Sequence, residues 1–498
     1  MSKHYSKGLI FSLLACVASP SYADVVSVES AKQVAAEFFS ACSQERLASA
    51  DALELVYTSG SASRPLYYVF NAREGKGFII VSAEDCTTPV LGYSVDNSYN
   101  ASSAPAAMKW MMSGLENEIK AAPSLQRRVD ETEFRRMARK AGRGTYDRIL
   151  LATPSWSQEA PFNNSIPGHP LVGCVGTAMG MIMKYHEYPE RGTGSYNGVN
   201  FDVAYDWDNM RMDNYRAGYS QAEADAVSTL LYHTATSIGT QFGFSGSSAY
   251  EVKVPAAMIN YFGYDPGISY KKRSEVSTQA EFDRLVAEDI KAGRPVLYCG
   301  QDLTAGHAFV VDGFDPVSNM IHVNWGWAGA DGNNNGGWYA STALNPNVSQ
   351  QHSFNNLTTI IYNIKPGNGK NSMWSPIHIT ADGSQEGMCS DLTGALESGK
   401  SFTVRVGNLK NLSYERFSGK IAVALFSAEG EFKSLLSNPD GFTLDGMALF
   451  SRAYADFSCK APSAIEVGAE DVIRMATSSD NGATWLPVAG ELITVNEL

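Results

Sequence analysis

The chain has 498 residues, with 39 Lys+Arg against 52 Asp+Glu and a formal net charge of −13. At roughly 150 residues per domain this length makes about three domains, and the 44% hydrophobic and 18% charged fractions are those of a globular protein. The acidic balance argues against a nucleic-acid binder, which carries a basic face, and beyond the first few dozen positions there is no apolar run of the roughly 18 residues that a membrane span needs.

Residues 1–23 read as a secretory signal. Lys3 and Lys7 precede an apolar stretch from Gly8 to Val17, and Ser21-Tyr22-Ala23 is a small-x-small cleavage site before Asp24. Leu13-Leu14-Ala15-Cys16 also resembles a bacterial lipobox, so lipidation at Cys16 stands beside cleavage after Ala23. Both routes take the protein out of the cytosol, and only the second ties it to a membrane.

From Asp24 to about Leu125 the pattern is α+β. Ala31 to Ala41 has helical spacing, Leu66 to Phe70 and Gly77 to Val81 read as two strands, and Pro105 to Ile119 returns to helix. Between Ser124 and Arg148 eight basic residues face four acidic ones, a local charge of 8 − 4 = +4. This stretch reads either as a solvated charged helix or as an exposed, cleavable linker behind a pro-segment. Residues 149–366 are rich in Gly, aromatics and Asn. Lys365 to Ser372 is a second linker. Beyond it, Ser401 to Val406, Lys420 to Phe426, Asp471 to Ala476 and Leu492 to Val495 are strand-like, which favours an antiparallel β-sandwich. From Asn371 on, 9 basic and 16 acidic side chains leave a net of −7.

Seven cysteines are scattered, none in a C-x-x-C pair, which excludes a zinc ribbon and a disulfide-dense scaffold. One of them, Cys174, opens an apolar stretch that runs to His186. A thiol at a helix N-terminus feels the positive end of the macrodipole, which favours thiolate. A lone buried cysteine is nonetheless more often structural. His307 starts an apolar strand, Gly306 to Phe314, and Asn324 lies on the next, Ile321 to Trp327. Antiparallel neighbours bring His307 and Asn324 together, so that Asn can orient the imidazole as the third member of a triad does. Trp325 can shield that contact, or simply be core. Gln158, upstream of Cys174, can complete an oxyanion hole with the Cys174 N–H. His186, at the far end of the nucleophile's helix, reads as a structural histidine suited to the negative helix end. No H-E-x-x-H and no phosphate-binding glycine loop is present.

In the order Gln, Cys, His, Asn, these blocks become specific. W-x-Q-x-x-P-F-N (Trp156 to Asn163), G-C-V-x-T-A-M-x-x-I-M-K-Y-H (Gly173 to His186), G-H-A-F-V-V-D-G (Gly306 to Gly313), H-V-N-W-G-W (His322 to Trp327) and Ala343-Leu344-Asn345-Pro346 resemble the streptopain family of bacterial cysteine proteases, which share the papain-like fold. The resemblance extends back through Tyr67 to Ser94, which is similar to the family's pro-domain. It implies Cys174 as nucleophile, His307 as general acid/base, Asn324 as its orienter, Gln158 as oxyanion donor and Trp325 beside the His–Asn pair. By the same resemblance Ser247, Ser248 and Ala249 line a substrate pocket. Two departures bear on substrate range. The stretch Asp331 to Gly337 is longer and richer in Asn than the family's glycine loop, and Gln241-Phe242-Gly243 replaces a Met-Asp-Tyr-Gly.

The fold expected is therefore α+β: signal 1–23, an inhibitory α+β pro-domain with basic linker 24–145, a two-lobed papain-like catalytic domain 146–366 and a β-sandwich 371–498. The chemistry expected is peptide hydrolysis through a thioester, without cofactor or metal, on polypeptide substrates, with the protein's own pro-domain as intramolecular inhibitor. Two other readings stay open: an exported acyltransferase or amidase of the same fold, and a catalytically silent adhesion or binding protein.

Overall fold

The computed structural model describes residues 25–42, 44–144, 146–301, 306–327, 335–344, 358–367, 374–379, 387–394, 396–407, 409–411, 416–427, 430–445, 455–463, 467–468, 470–490 and 492–495. The signal segment with Cys16, most of the 331–337 stretch, Asn345 and Pro346 lie outside the described residues.

The N-terminal part begins with helix α1 (Val28–Ala41), whose Ser27 cap accepts from the Ser30 N–H at 3.1 Å. Its apolar residues recur three and four apart, so Ala31, Val34, Ala35 and Phe38 are buried on one side. Four antiparallel strands follow: β1 (Leu53–Ser61), β2 (Arg64–Ala72), β3 (Phe78–Ser82) and β4 (Val90–Ser94). Helix α2 (Ala106–Leu125) covers one face of this sheet, and α1 with α3 (Glu131–Gly144) covers the other.

The basic stretch read as a possible linker is thus mostly the helix α3. Phe134 and Ala138, four residues apart, bury against α1, while Arg135 and Arg139 both pair with Glu37. Burial acts to raise the Glu37 carboxyl, but the two guanidiniums outweigh it and hold it below its usual range.

Strand β5 (Ile149–Leu150) enters the second region. Helix α4 (Cys174–His186) is buried almost all round, packed against α5 (Gln221–Ser237). A two-residue hairpin, β6 (Ser195–Tyr196) and β7 (Val199–Asn200), α6 (Val254–Phe262), β8 (Ser269–Lys272) and α7 (Gln279–Lys291) lead to the hairpin that carries the histidine and asparagine. This comprises β9 (Val296–Gln301), β10 (Gly306–Asp315) and β11 (Met320–Asn324), followed by β12 (Gly337–Ala340) and β13 (Thr359–Tyr362). These strands form one sheet with the N-terminal ones, in the order β1-β2-β3-β4-β12-β11-β10-β9-β13-β8, with β5 paired to β10. The junction is antiparallel, Tyr93 against Trp338 and Gly92 against Tyr339. Packing follows the same continuity: Leu66, Met108 and Leu115 share a core with Phe282, Phe309, Trp325 and Tyr339.

The C-terminal part is β-rich, with a core built around Ile377, Val404, Val423, Leu425, Ile473 and Met475. The four strands read from the sequence are found at Ser401–Val406, Phe417–Phe426, Val472–Ser478 and Ile493–Thr494. Pairing is not wholly antiparallel, because Ile377–Ile379 runs parallel to Ala489–Gly490. This part docks on the second region through Lys410, whose Nζ reaches Glu275 at 2.6 Å. Cys389 and Cys459 are separate free thiols on the two outer strands of one small sheet.

Candidate active site

Helix α4 starts where the sequence places it, at Cys174. Its cap, Gly173, has φ 93°, a left-handed backbone that glycine adopts without strain. The Gly173 N–H donates to Gln158 Oε1 at 3.1 Å, and the Val172 N–H donates to the Gln158 carbonyl at 3.2 Å. Gln158 is thereby fixed beside the helix start with its carbonyl end taken, which leaves the amide NH2 as the end available to a ligand.

The loop carrying Ser247, Ser248 and Ala249 lies on the same helix start. Ser247 Oγ donates to the Leu171 carbonyl at 2.6 Å and accepts from the Gly243 N–H at 2.9 Å. A side-chain carbon on Gly173 would stand 3.2 Å from Ser247 Cβ. Gln241 and Ser248 exchange both backbone hydrogen bonds, at 2.8 and 3.1 Å. Ser248 is exposed, whereas Ser247 and Ala249 are half-buried, Ala249 against the core around α4.

Cys174 is half-buried by exposed area, yet protein surrounds its sulfur closely. Burial pushes the thiol up from its ordinary value, against the Ala308, Val175 and Cys174 backbone N–H groups that favour thiolate, with Glu251 adding to the rise. The helix-end effect expected to favour thiolate is therefore outweighed by desolvation. The contact with Ala308 brings the sulfur to β10, one residue past His307. Across the sheet, Ala308 pairs with Cys299 and Cys299 with Thr359. Glu251 closes this row, accepting from the Tyr270 hydroxyl at 3.1 Å and from Thr359 Oγ1 at 3.4 Å. Burial pushes the Cys299 thiol far up as well.

His307 pairs with Gly300, and Asn324 pairs with Val310, so the strand register does not set His307 directly opposite Asn324. A side chain at Gly300 would run into the Trp110 indole of α2, so the N-terminal region sits directly on the strand beside His307. Asn324 Nδ2 donates to Thr153 Oγ1 at 3.0 Å and to the Pro154 carbonyl at 2.8 Å, and its Oδ1 accepts from the Gly326 N–H at 3.3 Å. The Thr153 hydroxyl in turn hydrogen-bonds Asp312, whose other oxygen lies 2.5 Å from His322 Nδ1. Thr153, Asp312, His322 and Asn324 border a cavity of about 310 Å³ that Asn97 and Gly336 also line. Trp325 is core: its ring packs on Phe309 and Tyr339, and its N–H donates to the Asn335 carbonyl at 3.1 Å.

His186 lies against the Tyr264 hydroxyl at 3.2 Å, and burial lowers it to about 4. It is therefore neutral at pH 7, which corrects its reading as a partner for the negative helix end; Lys184, bonded to Glu187, is the cation there. Sequence reasoning passed over Cys299, Glu251 and Thr153. None of the three carries a local signal, because strand register and loop packing bring them to the site. Asp312 and His322 stood inside the quoted motifs without a role.

The Peptidase C10 family model matches residues 156–339, and the Spi protease inhibitor model matches residues 23–119. Streptopain of Streptococcus pyogenes is 30% identical over 344 residues, which cover 63% of this chain and 84% of that protein. The thiol protease/hemagglutinin PrtT of Porphyromonas gingivalis is 31% identical over 360 residues, covering 64% of this chain. The chain spans only 39% of PrtT's length. Among solved structures, a fragment of Prevotella intermedia prointerpain A superposes with a TM-score of 0.50 at 28% identity, over 62% of this chain and 97% of that fragment. With a C10 match over the cysteine, histidine and asparagine blocks and an inhibitor-like segment ahead of it, the chain belongs to the streptopain family of papain-like cysteine peptidases.

Proposed function

We propose that the protein is an exported cysteine endopeptidase made as a zymogen. The observation that carries this reading is the meeting of three elements at one helix start: Gln158 anchored on Gly173, the Cys174 sulfur on the Ala308 N–H, and His307 next in the chain to Ala308. In this reading 24–145 is the inhibitory segment, 146–366 the catalytic unit and 371–498 an appended β-domain. Export runs through the 1–23 signal, with a lipid anchor at Cys16 as the alternative to a free secreted form.

The chemistry proceeds through a thioester. His307 takes the Cys174 proton, and the thiolate attacks the peptide carbonyl. The Cys174 N–H and the free amide end of Gln158 stabilise the oxyanion, a donor worth about 10²–10³ in rate. His307 protonates the leaving amine, and water releases the acyl group. Asn324 orients the imidazole through Oδ1, which has a second lone pair beyond the one given to Gly326. Trp325 holds that strand end rigid. Ser247, Ser248 and Ala249 border the substrate's path to Cys174.

Latency follows from the shared sheet. Trp110 rests on Gly300 beside His307, and Glu118 of α2 accepts from the Thr342 hydroxyl at 2.9 Å and the Ala343 N–H at 2.6 Å. The catalytic strands thus take their positions partly from the inhibitory segment. The test is labelling of the purified chain by an epoxide thiol-protease inactivator together with casein hydrolysis. Both are expected once the inhibitory segment has been removed by maturation and absent in Cys174→Ala; casein hydrolysis surviving in Cys174→Ala would refute the assignment.

A further inference from the structure

Asp315 ends β10 and is 0% exposed. Its Oδ1 accepts from the Val317 N–H at 2.9 Å and the Ser318 N–H at 3.2 Å. Its Oδ2 is buried too and has no hydrogen-bond partner. A fully buried carboxylate oxygen without a partner calls for an explanation, because such groups are nearly always paired.

The end of the basic helix lies against it. A first side-chain carbon on Gly144 would stand 2.5 Å from Asp315 Oδ1 and 2.9 Å from Oδ2. The Gly144 backbone therefore rests on the carboxylate, and no side chain fits between them. The preceding residue, Arg143, is exposed, and so are Tyr146 and Asp147. The Arg143–Gly144 bond joins an exposed basic residue to a buried glycine that already touches a buried, half-satisfied acid.

We propose that Arg143–Gly144 is the bond cut on maturation, and that Asp315 is the built receptor for the α-ammonium of Gly144 that this cut creates. The proposal rests on the zymogen reading above. Hydrolysis adds the hydroxyl of water to the Arg143 carbonyl carbon and a proton to the Gly144 nitrogen. The new carboxylic acid then gives its proton to the amine, leaving one carboxylate and one ammonium. An α-amino group titrates near about 7.7–8.0, so it is cationic at neutral pH.

The ion pair has a structural task. Before the cut, α3 tethers the strand that follows it. Leu150 and Ile149 pair with Gly313 and Phe314 of β10, the Leu151 N–H donates to the Asp312 carbonyl at 2.7 Å, and Thr153 and Pro154 hold Asn324. Once the covalent tie to α3 is gone, the Gly144–Asp315 pair keeps this strand end on β10. Among the described residues Tyr93 lies within electrostatic reach of Asp315, and Arg148 and Cys42 act on the same Tyr93 hydroxyl. Arg148 is committed to the Tyr93 hydroxyl at 3.2 Å and to the Trp338 ring. Burial pushes the Tyr93 hydroxyl up; Arg148 opposes this and Asp315 and Cys42 add to it.

Two arms test the proposal. N-terminal sequencing of the matured wild-type chain is expected to begin at Gly144, and a different start overturns the choice of bond. In the second arm the full-length Cys174→Ala chain is nicked in trans with trypsin, and the α-amine of Gly144 is titrated by its rate of acetylation against pH. Its pKa is expected about one unit higher than in the Asp315→Asn chain, a tenfold shift in proton affinity. Asn keeps the oxygen that Val317 and Ser318 use, so the turn stays satisfied. Equal values in the two chains overturn the pairing. Should the Asn chain not fold, the nicked Cys174→Ala chain in urea is the reference, and equal values in buffer and urea overturn the pairing likewise. A wild-type chain without peptidase activity would refute the zymogen reading, while the trypsin arm would still decide the role of Asp315.

Discussion

The Asn324 amide donates to the Thr153 hydroxyl at 3.0 Å, and that hydroxyl hydrogen-bonds Asp312. One residue near the start of the catalytic unit thus connects the proposed orienting asparagine to the Asp312–His322 pair. A hydroxyl suits this place because it accepts from Asn324 and donates to Asp312 at once. Thr153→Val keeps the shape and removes both bonds. It is expected to cost about 1–3 kcal/mol of stability, the usual penalty for stranding buried partners, and to lower kcat about tenfold with KM little changed. Thr153→Ser is expected to restore most of kcat. Steady-state kinetics on a fluorogenic peptide checks this, and an unchanged kcat in Thr153→Val would remove Thr153 from the catalytic framework.

Glu118 gives the contact between the inhibitor-like segment and the peptidase region a pH dependence. Burial raises its carboxyl from 4.5 to about 7, against the Ala343 N–H and the Thr342 hydroxyl, which favour its charged form. Between these pH values the folded zymogen binds a proton that the unfolded chain has released. The stabilisation is full below about pH 4.5 and is lost as pH rises through 7. Asp283, raised to about 6 by burial, acts in the same direction. His186 and His233, lowered to about 4 by burial, act the other way: their contribution is present above 6.5 and falls as pH drops. Glu118→Gln isolates the first effect. In the Cys174→Ala background, the Gln chain is expected to melt above its parent at pH 8 and with it at pH 4.5. A melting difference independent of pH would contradict the assignment.

Trp110 is the side chain of the inhibitory helix that sits on Gly300. It is half-buried, so Trp110→Ala is expected to cost somewhat less than the 3–5 kcal/mol of a fully buried aromatic, about 2 kcal/mol. The loss falls on the contact between the two regions. Maturation of the otherwise wild-type chain is expected to accelerate, and limited proteolysis of the Cys174→Ala chain to release the N-terminal part sooner. A lower melting temperature with unchanged maturation would make Trp110 a packing residue only.

Lys410 reaches Glu275 from the C-terminal part, with side-chain exposures of 7% and 20%. It also lies over the Tyr270 ring, 5.8 Å from its centre. Removing one member of a buried pair strands the other charge, so Lys410→Met is expected to destabilise by about 3 kcal/mol. The double change Lys410→Met with Glu275→Gln is expected to recover most of that. Equilibrium denaturation of the four chains gives the coupling directly, and strict additivity would mean that the pair contributes nothing to docking.

Three helices, α1, α2 and α4, and the motif blocks were legible in the sequence because they rest on local patterns, whereas α5, α6 and α7 were not read. Cys174 with its apolar helix, and the His307 and Asn324 strands, fall where spacing and motif put them. The inhibitory segment showed α1, α2 and two of its strands. The strands at Leu53–Ser61 and Val90–Ser94 were missed. The first has an irregular burial pattern and the second is buried on both faces, so neither alternates. The basic stretch left a charged helix and a linker both open because its charges dominate its composition, while only Phe134, Ala138, Gly142 and Gly144 are buried in it. The Cys299–Thr359 row, Glu251 and Thr153 were not legible. They come from segments roughly 20 to 180 positions from the residues they serve, and only register and loop closure assemble them.

The junction of Tyr93 with Trp338 also bears on the fate of the enzyme once it has matured. In the proposed maturation, departure of the N-terminal segment would turn β12, an interior strand, into a sheet border with bare N–H and C=O groups. Such a border is a template for any extended chain. The freed fragment, which carries the complementary strand β4, would then compete for it in trans, so that the enzyme's first inhibitor after release would be its own discarded segment, at a strength set by concentration and by how fast that fragment is degraded.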